Sequence, residues 1–272
     1  MKRKALVASS LVFVALVMVL TKPNSEGLQL PDCDVTPIVD TEVSFIVDKD
    51  VLNANSKEAV KRYFTQSLHH SNLVLKNSCI PMTRSLGSIT YVELNKSNLE
   101  SLYALHKQLE VNLGIDDLDS SYPAPNQIYG LVLPKTIADI ADLTGQVEVN
   151  LSRKFFTITF DNGIDLIEHE LGHLSWAQHK DGHPHNLGKW LESVILPQYH
   201  HLLKPYARAF KCGTSGTIMS YEDNILPVYS SPNIFNQGQR CGDPENGDNA
   251  RAVTEHAHRI AEEMENYTVD KG

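Results

Sequence analysis

The sequence predicts an α/β protein: a lobe of alternating strands and helices, followed by a smaller, mostly irregular lobe that ends in a helix. Three observations carry that prediction. Between residues 41 and 160, apolar runs of strand type alternate with segments of helical spacing. Beyond a helix near residues 164–176, Pro184, Pro197 and Pro205 cut the chain into short pieces. A last helical pattern then fills 248–265.

Taken in order, Thr41 to Val47 alternates like a half-buried strand. Asn55-Ser56-Lys57-Glu58 resembles a capping box, with Asn55 as cap, and Val60, Tyr63, Phe64 and Leu68 follow at helical spacing. Ser88 to Leu94 reads as a second strand. Ser97-x-x-Glu100 opens a second helix with Leu99, Leu102, Tyr103, His106 and Leu109 on one face, His106 being a packed histidine. Gln127 to Leu133, Val147 to Leu151 and Phe155 to Phe160 are strand candidates. Asp161-Asn162-Gly163 is a turn whose aspartate can cap the next helix. That helix starts near Ile164 and buries Ile167, Leu171 and Leu174. In the last helix Ala250, Val253, Ala257, Ile260 and Met264 face inward.

Residues 1–26 read as a signal peptide or an N-terminal anchor. Met1-Lys2-Arg3-Lys4 is basic, and residues 5–20 are uncharged and almost wholly apolar. That run is shorter than the roughly 20 residues of a typical membrane span, yet no clean Ala-x-Ala cleavage site follows it. The protein is therefore expected to be secreted or periplasmic, or held at a membrane by residues 5–20. Residues 27–40 are polar and read as a linker or mature N-terminus. The net charge of −9 disfavours a nucleic-acid partner. The cysteines are Cys33, Cys79, Cys212 and Cys241. An even count behind a secretory leader predicts two disulfides, with the sequence-local pairing Cys33–Cys79 and Cys212–Cys241.

The chemistry centres on His169-Glu170-Leu171-Gly172-His173. Residues four apart share one helix face, so His169 and His173 aim two imidazoles at one point, with Glu170 beside them. His179 supplies a third imidazole only if the chain turns soon after His173, because six helical steps would carry it to the far side. Downstream stands Gly216-Thr217-Ile218-Met219-Ser220-Tyr221.

Together these two segments resemble the metzincin zinc endopeptidases, closest to bacterial reprolysin-like (adamalysin-like) members. Their signature is His-Glu-x-x-His-x-x-Gly-x-x-His, then a distant methionine turn. Tyr229-Ser230-Ser231-Pro232-Asn233 and Gly247-Asp248-Asn249-Ala250-Arg251 fit the same tail. The resemblance implies a two-lobed catalytic domain over residues 41–268. Its N-terminal lobe would be a twisted mixed sheet with helices, and a cleft at the lobe junction would be the substrate site. It implies one zinc ion on His169, His173 and His179, and hydrolysis of peptide or protein substrates by metal-activated water. Glu170 would be general base, and Met219 would underlie the histidines. Tyr221 would contact the metal or the oxyanion, as in astacin- and serralysin-like members, or be a packed phenol.

Three departures bear on this. Trp176 stands where the signature has the glycine that turns the chain, a position costing roughly 1–2 kcal/mol for a bulky residue. Lys180 follows the third histidine where many reprolysins have an acid. His183 and its neighbours offer competing ligands. Two alternatives stay open: a non-catalytic zinc-binding or adhesion module with the same fold, and a thermolysin-type peptidase with Glu192 as third ligand. Cys33 could also cap the zinc in a latent form.

Overall fold

The structure, a computed structural model, describes residues 27–95, 101–137, 144–180 and 187–271. The leader, Leu99, the Ser97-x-x-Glu100 opener and His183 lie outside them.

Five strands form the main sheet in the order β3-β2-β4-β6-β5: β2 (Val39–Asp48), β3 (Met82–Val92), β4 (Gln127–Leu133), β5 (Gly145–Val147) and β6 (Phe155–Thr159). Three pairings, β2 with β3 and β4, and β4 with β6, are parallel; β5 runs antiparallel to β6 at the edge. Successive side chains of a strand point to opposite faces, and here both faces are covered. Val43, Phe45 and Val47 pack with Phe64 and Leu68 of α1 (Lys57–Asn77) and with Ile167 and Leu171 of α3 (Leu166–Leu174). On the other face Ile46, Tyr129 and Leu131 meet Leu102, Leu105 and Leu109 of α2 (Leu102–Leu113). The mixed sheet with flanking helices is the architecture that the sequence implies.

Several local expectations are corrected. Ser56, not Asn55, caps α1: its Oγ accepts from the Ala59 amide at 3.1 Å, while Asn55 donates to the Val51 carbonyl at 3.0 Å. Ser101 caps α2. Tyr103 is 58% exposed, and Leu105 holds the buried position on that face. The strand expected over Val147–Leu151 ends at Val147 and turns, which brings Val149 and Asn150 to the cleft. Ile164 is exposed and α3 begins at Leu166; Asp161 sits in the turn with positive φ, +57°, rather than capping the helix.

The C-terminal lobe is built from short pieces: α4 (Leu187–Val194), β7 (Lys211–Cys212), β8 (Ser215–Gly216), and the β9 (Ser231–Asn236) and β10 (Gln239–Cys241) hairpin. The N-terminal β1 (Leu28–Gln29) adds to β9. The last helix, α5 (Asn249–Lys271), runs beyond the expected 265 and buries Val253, Ala257 and Ile260 against Val74, Leu75, Met219 and Tyr229. Both expected disulfides form: Cys33–Cys79 ties the N-terminal segment to the end of α1, and Cys212–Cys241 joins β7 to β10. Cys33 is thus paired with Cys79 and does not cap a metal. Two disulfides suggest an extracellular or periplasmic protein. Among the described residues no helix is long and apolar enough to cross a membrane.

Candidate metal centre

Helix α3 places His169 and His173 on one face while Ile167, Leu171 and Leu174 enter the core. Its rotation is fixed from below. Glu168 is fully buried against Arg84 at 3.4 Å, and the Tyr229 hydroxyl donates to Glu168 Oε1 at 2.6 Å. Gly172 lets the helix approach closely, because a Cβ there would meet Met219 Sδ and Tyr229 Oη.

The helix then ends in a tight turn. The Ala177 amide donates to the Gly172 carbonyl at 2.9 Å, and the Trp176 amide donates to the His173 carbonyl at 3.0 Å. That is the Schellman pattern, whose turning residue is left-handed. Trp176 occupies it, at φ +68°. The departure from glycine therefore leaves the turn intact, and His179 comes back to the other two histidines.

His169, His173 and His179 form one half-buried group whose nitrogens lie within 4.8 Å of one another. Each ring's Nδ1 meets a backbone carbonyl: Ile218 at 2.9 Å, Ala177 at 3.1 Å and Met219 at 2.9 Å, respectively. A carbonyl can only accept, so each Nδ1 carries the proton and each Nε2 keeps a lone pair. The Nε2 atoms of His173 and His179 are 3.1 Å apart. Two acceptors at that distance repel unless a cation lies between them. A tetrahedral zinc with bonds of about 2.0–2.1 Å wants neutral imidazoles oriented through their other nitrogen, as these are. Burial holds the His169 and His173 pKa values below the usual histidine range, which keeps the ligand form at neutral pH. The donor set fits zinc.

Glu170 lines the same cleft. Burial alone pushes its pKa up to about 8, and its Oε2 has no hydrogen-bond partner among the described residues. The Tyr221 hydroxyl lies 2.8 Å from His179 Nε2, and its ring stacks on His179 with centroids 4.3 Å apart. Met219 is fully buried beneath α3. Glu192 is exposed on α4 and outside the histidine group, so the structure does not bring it in as a ligand. His106 packs under β4, its Nε2 2.8 Å from the Tyr129 hydroxyl.

No family model and no curated protein matches the chain. It shares its fold with part of a solved chaperone–substrate complex: TM-score 0.58 at 16% identity, over 82% of this chain and 35% of that one. The chain thus spans about a third of that protein's length. It is also similar to metalloproteinase-II from Bacteroides fragilis at 18% identity, over 58% of this chain and 49% of that one. The TM-score there is 0.37.

Two contributions were not foreseen from sequence. The turn at Ile218–Met219 orients His169 and His179 with its backbone, through the carbonyls of Ile218 and Met219. Gly145, in the edge strand, leaves room for Glu170, because a Cβ there would strike its carboxyl group. A glycine opening a strand signals such a close approach, but not which side chain arrives.

Trp176 decides its own substitution by magnitude. Glycine would remove roughly 1–2 kcal/mol of backbone strain. It would also remove an aromatic ring packed with Val149 and Leu202, where emptying such a site costs roughly 3–5 kcal/mol. Trp176→Gly is expected to unfold about 2 kcal/mol more easily, as measured by denaturant titration, and to retain zinc.

Proposed function

We propose that the protein is a zinc-dependent endopeptidase of metzincin type. The observation that carries this is the convergence of three oriented Nε2 lone pairs beside a buried carboxyl group, in one cleft of about 1080 Å³. His169, His173 and His179 would hold the ion. Zinc, when bound, would supply hydroxide near neutral pH by lowering the pKa of water from 15.7 to about 7.

The chain's residues do the rest. Among the described residues, strand β5 pairs with β6 on one side only, and Gly145, Gln146 and Val147 line the cleft. An extended substrate would add to that free edge through its main chain. Glu170 would take a proton from the attacking water and return it to the departing amine. Tyr221, within reach of the metal position, would donate its hydroxyl to the carbonyl oxygen as charge develops there. Two disulfides fit a protein that works outside the cytoplasm.

The test is hydrolysis of a denatured protein by zinc-loaded enzyme. Activity should vanish on chelation and return on re-addition of zinc. Hydrolysis that persists in a fully chelated sample would remove the reading.

A further inference from the structure

One arm of the cleft has no part in the chemistry above. Its floor is Trp176, which is 4% exposed yet lines the cleft three residues after His173. One wall is the turn after β5, with Val149 packed on Trp176. The other is α4. Trp190 and Val194 stand one helical turn apart there, line the cleft, and remain 48% and 44% exposed. The two walls are joined. Asn150 donates to the Val194 carbonyl at 2.8 Å and accepts from the Leu196 amide at 2.9 Å. The arm is therefore formed before any ligand arrives. The charged groups lining the cleft among the described residues are carboxyls and histidines, with no lysine or arginine.

We infer that this arm is the specificity pocket for a bulky apolar side chain of the substrate, gripped by Trp190 and Val194 and limited in depth by Trp176. The inference rests on the peptidase reading for its occupant. Two observations select that occupant. The arm opens into the same cleft as the three histidines. The edge of β5 that is unpaired among the described residues, which continues into the Val149–Asn150 turn, would lay an extended chain along it, so that alternate side chains turn towards the arm. Apolar walls discriminate by burial, and a polar side chain there would lose its water without a partner.

The experiment compares zinc-loaded wild type with Trp190→Ala on a mixed peptide library, with cut sites read by mass spectrometry. Wild type should show Leu, Ile, Met or Phe enriched at one fixed position from the cut, and Trp190→Ala should lose about tenfold of that enrichment. Trp176→Gly should shift the preference towards larger rings. In parallel, fluorescence anisotropy of a dye-labelled Phe peptide and its Ser counterpart is measured on zinc-loaded Glu170→Ala, with and without Trp190→Ala. Tighter binding of the Phe peptide, lost with Trp190→Ala, supports the pocket. Cleavage with no apolar enrichment, or enrichment unchanged in Trp190→Ala, overturns the pocket and leaves the peptidase reading standing. No cleavage, with Phe-selective binding that needs Trp190, supports the pocket and removes the peptidase reading. No cleavage and no Phe selectivity overturns both.

Discussion

Glu170→Gln is expected to lower kcat/KM by about 10²–10⁴-fold, the usual worth of a positioned general base. It should still bind zinc, since Glu170 is not among the converging ligands, but somewhat more weakly, because the carboxylate that the cation favours is gone. The amide keeps the shape of a side chain that sits against Gly145 and is buried in the cleft. Only the ability to accept a proton disappears. The pKa supplies a second readout. Burial raises Glu170 from 4.5 to about 8 in the metal-free protein, so at pH 7 it carries a proton. A group whose pKa is raised on folding contributes stability below its unfolded pKa and loses that contribution as pH rises through the folded value. The window here is pH 4.5 to about 8. A divalent cation alongside favours the carboxylate instead. Zinc uptake at pH 7 should therefore release a proton from Glu170, whereas His169 and His173, held neutral by burial, release little. Calorimetric titration in buffers of different ionisation enthalpy should show that proton in wild type and not in Glu170→Gln.

His179→Ala is expected to weaken zinc binding by more than the about 10–100-fold that loss of an outer hydrogen-bond partner costs. Glu192→Ala should leave binding unchanged. The contrast follows from position: His179 donates to the Met219 carbonyl and aims Nε2 at His173, whereas Glu192 is an exposed side chain on α4. Competition titration with a chromophoric zinc chelator measures both. Zinc loss in Glu192→Ala with none in His179→Ala would reverse the assignment of the third ligand.

Much of the site was legible in the sequence because its parts are short and regular. The i, i+4 histidines need only helical geometry, and α3 supplies it. The strand Gln127–Leu133 and the inward face of α5 were legible from apolar pattern alone. Trp176 was harder. Its cost follows from the backbone, but the ring's compensating neighbours, Val149 and Leu202, come from distant segments. The carbonyls of Ile218 and Met219 that fix two imidazoles were illegible, since main-chain acceptors carry no sequence signal. The buried pair of Arg84 and Glu168 beneath α3 was hidden for the same kind of reason: 84 residues separate its partners. Capping at Ser56 rather than Asn55 is a one-residue choice between two good caps.

The most direct test of the central claim is a mass-spectrometric digest of a mixed peptide library by zinc-loaded protein lacking residues 1–26, run beside its Glu170→Ala variant. Cleavage at internal peptide bonds by the wild type, and none by the variant with zinc still bound, is the predicted result. Equal cleavage by both, or none by a folded, zinc-loaded wild type, would contradict it.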